Sequence, residues 1–318
     1  MKRNSSIELY RVLLMFGICL LHAVGFGGHG VSWACNILTT CVVGFVFISG
    51  WFGVRFSWWK VLKLYGIGAY AAMVFGSLLL ITGGASDVGT ALAKGYDKLI
   101  HGFWFLHAYA LMMCFAPLVN AAVERGKMVA VLPLLVSVWF WGFGLTLPWF
   151  ETHLPKTDGL DAYGGLTLTA IYAAARICRE WHLDERVRMR WLLAALPVLC
   201  ALTGIGLGDY NSPFAFALAG VCFLLVAHVK LPEWLGRAVL ALSPSMFAVY
   251  LMHTNEIGLG CFKPLEAQLI SSGFPIAGAW FAAALAVFTC ACALDLPRRM
   301  IVGIVFRLMG VGIRDRST

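Results

Sequence analysis

Charge is scarce in this chain: Asp, Glu, Lys and Arg make up 13% of its 318 residues, while 60% are hydrophobic. A typical soluble domain carries about twice that charge and about 45–50% apolar residues. A water-soluble fold of this length has no way to hide the surplus, which excludes a soluble enzyme and a secreted disulfide scaffold. No CxxC pair occurs, although ten cysteines are present. Most lie in apolar runs and are expected to serve as small packing residues. Internal repeats, low-complexity tracts and Pro-rich linkers are also missing. The net charge of +8 is attributed to membrane topology, with no nucleic-acid partner and no metal site expected. Met1-Lys-Arg ahead of an apolar run from Val12 to Leu21 has the outline of a signal peptide, but Glu8, Arg11 and His22 interrupt it and no A-x-A-like site follows. A retained first transmembrane helix is expected instead.

What is present is a series of apolar segments separated by charged or Gly/Pro-rich punctuation. At about 20 residues per span, the length suits about ten helices, placed at 7–26, 34–53, 60–82, 101–122, 128–147, 164–178, 191–208, 214–229, 239–258 and 275–294. Lys and Arg should gather on the cytoplasmic side. Residues 2–11, 55–63, 124–127, 176–190, 230–237 and the tail from Asp295 each carry a net charge between +1 and +3, and the alternate connections carry between 0 and −2. The expected fold is an all-α integral membrane protein with both termini cytoplasmic, 1–318 forming a single transmembrane domain with no separate soluble domain. The longer outer connections at 83–100, 148–163 and 259–275 are the places for lids or substrate contacts.

Ionisable side chains at membrane depth are costly and normally face a bundle interior or a wet cavity. Here they are Glu8, Arg11 and His22 on the first helix, His107 on the fourth, His253 and Glu256 on the ninth, and Asp295 with Arg298 at the inner end of the tenth. Arg11 and His22 are eleven residues apart, three turns plus about 20°, so they share one face separated by roughly 16 Å of rise. The three histidines are expected in the outer third of the bilayer. Each is either a helix-bridging hydrogen-bond partner or, as neutral imidazole, a base or nucleophile. Arg11 is either a partner for phosphate or carboxylate or one half of an i,i+3 pair with Glu8. Glu256 is either a partner of His253 or the solvated end of its helix.

These residues resemble a known family. Glu8-Leu-Tyr-Arg11, then ten intervening residues, then His22, is similar to the Arg-x10-His signature of the acyltransferase-3 family, integral membrane enzymes that acylate cell-envelope carbohydrates. Phe45-Val-Phe-Ile-Ser49-Gly50-Trp51-Phe52 resembles its Phe-rich second helix. Gly102-Phe-Trp104-Phe-Leu106, continuing to Tyr109 and Pro117-Leu-Val-Asn120, resembles a third segment. Ser245-Met-Phe-Ala-Val-Tyr250-Leu-Met-His253 and Asp295-Leu-Pro-Arg298 resemble a fourth and a fifth. The stretch from about 125 to 235 matches nothing diagnostic. Glu8 stands where many members have Asp, and the Pro after Asp295 suggests a kinked helix end.

The resemblance implies transfer of an acyl group, acetyl by default, from cytoplasmic acetyl-CoA or another acyl-CoA to a hydroxyl of an envelope carbohydrate or lipid-linked glycan in the cell (inner) membrane. His22 is implied as general base or acyl carrier, with Arg11 and His253 beside it. Arg11, Ser49 and Arg55 are expected on the donor, and Trp104, His107, Tyr250 and Glu256 on the acceptor. No bound cofactor is expected beyond the donor itself. A polytopic transporter using the same Arg/His stripe is the alternative, and the oligomeric state is not legible.

Overall fold

The computed structural model describes residues 4–27, 31–139 and 163–308, and among them every regular element is helical. The longer helices, in chain order, are α1 (Ser5–Phe26), α2 (Ser32–Leu38), α3 (Thr40–Phe52), α4 (Trp58–Ile81), α5 (Val88–Asp97), α6 (Trp104–Glu124) and α7 (Gly165–Glu180). They continue with α8 (Met189–Leu202), α9 (Pro213–Ala227), α10 (Glu233–Leu242), α11 (Met246–His253), α12 (Glu256–Gly260), α13 (Phe262–Ser271) and α14 (Ile276–Leu308).

Seven helical stretches among the described residues are long and apolar enough to cross a membrane: Ser5–Phe26, Ser32–Phe52, Trp58–Ile81, Trp104–Glu124, Met189–Leu207, Glu233–His253 and Ile276–Ile304. They coincide with seven of the ten segments expected from the sequence. Of the other three, α7 and α9 are shorter helices and the fifth appears as Met128–Trp139. The remainder of that fifth segment, 140–147, and nearly all of the connection 148–163, expected on the outer side, lie outside the described residues.

Local chemistry sets the boundaries. Asn4 caps α1 by accepting from the Ser6 N–H at 3.0 Å, and Asp87 caps α5 by accepting from the Thr90 N–H at 2.9 Å. The ninth segment, expected as one helix over 239–258, is broken into pieces. Pro244 sits in the tight turn Ser243–Ser245 that separates α10 from α11. After His253 the chain restarts at Asn255, whose amide donates to the Met252 carbonyl at 2.6 Å and whose side-chain oxygen accepts from the Gly258 N–H at 2.9 Å. Glu256 therefore opens a new helix instead of lying one turn along from His253. At the other end, α14 is longer than expected and continues helically through Pro297.

The chain forms two compact units. The first comprises 1–29, 66–103 and 229–318, and the second 30–65 and 104–228. In the first, α1 packs against α10, α11, α13 and α14. In the second, α7 packs against α3 and α6, and α9 packs against α3 and α8.

The second unit is pinned by a closed ring of hydrogen bonds. The Tyr172 hydroxyl donates to Asn120 Oδ1 at 2.7 Å and accepts from the Val54 N–H at 2.8 Å, and Asn120 Nδ2 donates to the Val54 carbonyl at 3.0 Å. Both backbone polar groups of one residue, Val54, just after α3, are thus satisfied by α6 and α7. Asn120→Ala leaves the Val54 carbonyl without this partner and removes the acceptor of the Tyr172 hydroxyl. It is expected to destabilise the protein by about 1–3 kcal/mol, read as a lowered thermal unfolding midpoint in detergent. A midpoint equal to wild type removes the ring from the account of stability.

Candidate active site

The residues of the Arg-x10-His stripe fall in the first unit. Arg11 donates from Nη1 to Glu8 Oε1 at 2.9 Å, the i,i+3 pair that its spacing allowed. Glu8 is nearly buried, whereas the Arg11 side chain keeps 35% of its exposure. Three turns further along α1, His22 meets His253. The imidazole Nδ1 of His22 lies 2.9 Å from Nε2 of His253, with the rings tilted 46° at 5.0 Å between centroids. On its far side, His253 Nδ1 lies 2.7 Å from the Val249 carbonyl, one helical turn back.

This chain of contacts assigns the protons. A carbonyl only accepts, so His253 Nδ1 carries the hydrogen. In a neutral imidazole the other nitrogen is then a bare acceptor, and His22 Nδ1 must donate to it. By the same rule His22 Nε2 is a lone pair, and it has no hydrogen-bond partner among the described residues. A hydrogen-bonded orienting group behind an imidazole with a free nitrogen is the arrangement that general-base and nucleophilic sites use. His253 is buried, and the ring of Tyr250 packs edge-on against it at 6.0 Å.

Two other residues of the first unit lie apart from this pair. Glu256 is exposed and bonds Lys98 at 3.0 Å, at the margin of a cavity of about 670 Å³ that Lys94 and Asp97 also line. Asp295 is fully buried and receives two hydrogen bonds from Arg298, at 2.6 and 2.9 Å. The fifth sequence segment is therefore a bidentate intrahelical pair.

The remaining expected site residues fall in the second unit. Ser49 bonds the Tyr109 hydroxyl at 2.9 Å and the Phe45 carbonyl at 3.1 Å. Arg55 is exposed and contributes its carbonyl to Lys60 Nζ at 3.2 Å. Trp104 sits among aromatic rings, 4.9 Å from Tyr163 and 5.6 Å from Tyr210. The Nδ1 of His107 lies 2.9 Å from the Tyr65 hydroxyl. Among the described residues, no cluster of three or more His, Cys, Asp and Glu side chains is arranged to hold a metal.

Sequence reasoning missed three residues. Val249 is visible in hindsight, since a helical imidazole commonly reaches the carbonyl four residues back. Tyr65 carried no signal. Glu266 was passed over because it lies in a stretch taken as an outer connection. It is instead fully buried on α13, with neither carboxyl oxygen hydrogen-bonded among the described residues. Burial pushes its carboxyl up to about 7.

The model of the acyltransferase-3 family, described as an acyltransferase domain, matches residues 4–298 of this chain. The chain belongs to that family and is a membrane acyltransferase. No curated protein and no solved structure matches it.

Proposed function

We propose that the protein moves an acyl group, acetyl by default, from cytoplasmic acyl-CoA to a hydroxyl of a cell-envelope carbohydrate. In this scheme it acts in the cell (inner) membrane with both termini cytoplasmic. The observation that carries this reading is the proton assignment along Val249, His253 and His22, which leaves one imidazole lone pair without a partner among the described residues. That lone pair takes the proton of the acceptor hydroxyl as its oxygen attacks the thioester carbonyl. As the tetrahedral adduct collapses, the C–S bond breaks and the leaving CoA thiolate takes the proton back from His22. His253 holds the tautomer and, by accepting from Nδ1–H, stabilises the imidazolium that forms in between. The same lone pair serves the second route, direct attack on the thioester to give an acyl-imidazole that the hydroxyl then receives.

Arg11 is assigned to the donor. Although paired with Glu8, it keeps exposed surface, and a guanidinium that remains charged suits the phosphates of coenzyme A. It shares α1 with His22, so a single helix carries both the donor contact and the base. Incubation of the purified protein with labelled acetyl-CoA and envelope carbohydrate from a strain lacking it is expected to label the carbohydrate. Arg11→Ala is expected to raise the KM for acetyl-CoA by about tenfold. Unlabelled carbohydrate overturns the reading. CoA released in one stoichiometric burst before carbohydrate is added selects the acyl-imidazole route, and its absence selects the base route.

A further inference from the structure

Glu266 has no part in the scheme above, yet it is the most anomalous ionisable group in the first unit. It is wholly buried, and both of its carboxyl oxygens lack a hydrogen-bond partner among the described residues. A buried polar group with nothing to bond costs about 1–3 kcal/mol, so an orphaned carboxyl points to a partner that joins when a ligand binds.

Its position relative to His22 narrows what that ligand is. A Cβ built on Gly27 falls 1.8 Å from Glu266 Oε2 and 2.1 Å from Oε1. The carboxyl therefore lies directly on the backbone of Gly27, in space that only glycine leaves open. Gly27 is the residue that closes α1, five residues beyond His22. Five residues are about one and a half turns, a rise of roughly 7–8 Å, comparable to the span of one sugar ring. The C-terminal end of a helix carries partial negative charge, which opposes a carboxylate there and favours a carboxyl that shares its proton with a neighbouring hydroxyl. Resting on the transferase reading above, we propose that Glu266 is an acceptor-binding residue. Its carboxyl takes a hydroxyl of the carbohydrate about one ring outward from the hydroxyl that His22 deprotonates.

The test uses the full-length protein in lipid nanodiscs, labelled acetyl-CoA, and envelope carbohydrate extracted from a strain lacking the protein, titrated by total sugar. Glu266→Ala is expected to raise the KM for carbohydrate by about tenfold or more while the KM for acetyl-CoA stays at its wild-type value. Glu266→Gln, which keeps an oxygen acceptor and gains N–H donors, restores part of the loss. Gly27→Ala displaces the carboxyl without removing it. It is expected to act in the same direction, and because Gly27 has right-handed helical dihedrals the added methyl strains no backbone. A carbohydrate KM within about twofold of wild type in both Glu266→Ala and Gly27→Ala overturns the assignment, as does a donor KM that rises in step with it. A wild-type protein that labels no carbohydrate overturns the transferase reading itself, and the assignment falls with it.

Discussion

His22→Ala is expected to slow acyl transfer by about 10²–10⁴-fold, the usual contribution of a positioned general base. The KM for acetyl-CoA is expected to stay unchanged, because the substitution removes a proton acceptor and leaves Arg11 in place. The expectation follows from the hydrogen bonds: the Val249 carbonyl fixes the proton on His253, His253 fixes the one on His22, and Nε2 of His22 is left without a partner among the described residues. Replacing His253 by Ala should cost less, since Nδ1–H of His22 needs only some acceptor to hold the tautomer. His253→Gln, whose side-chain oxygen accepts from that N–H, should recover part of the rate. Steady-state transfer assays on variants with wild-type unfolding midpoints check the series. A folded His22→Ala protein transferring at the normal rate would falsify the assignment of the base.

Gly50→Ala is expected to have the largest effect on stability. A Cβ at this position falls 2.3 Å from the Tyr172 carbonyl oxygen and 2.8 Å from the Ala175 Cβ. Neither obstacle can rotate away, because one is main chain and the other has no rotamers, so α3 and α7 must separate. Overpacking of this kind costs about 1–3 kcal/mol, and the upper end applies where backbone opposes backbone. The separation also disturbs two sets of polar contacts: the bond from Ser49, the preceding residue, to Tyr109, and the ring linking Tyr172, Asn120 and Val54. Thermal unfolding in detergent reads the effect. An Ala variant that melts with the wild type would show that the two helices do not need to approach so closely. The Ser-Gly pair of the second sequence segment thereby divides its work between a hydrogen bond and a close helix contact, the use that membrane bundles make of small residues.

Much of the architecture was legible. Apolar runs bounded by charge located seven spans, five of them within a few residues at both ends, and the scarcity of charge made Arg11, His22 and His253 conspicuous. The meeting of His22 with His253 was not legible, since 231 residues separate them and helical periodicity describes one helix at a time. The breaks around His253 were hidden for another reason. Pro244 and Asn255 stand inside an otherwise continuous apolar run, and hydropathy does not register a missing N–H or a side chain that recaps the backbone.

Composition and spacing alone determined that the chain enters a bilayer, that its ionisable groups are few, and that Arg11 and His22 share one face of the first helix. Tertiary structure alone decided which helix faces point inward. Leu13 is 48% exposed and Leu14 only 4%, although the two are chemically identical neighbours. Lipid is as apolar as a bundle interior, so no transfer energy tells the two faces apart. Packing makes that choice, and with it the pairing of the two imidazoles and the burial of Glu266 against Gly27.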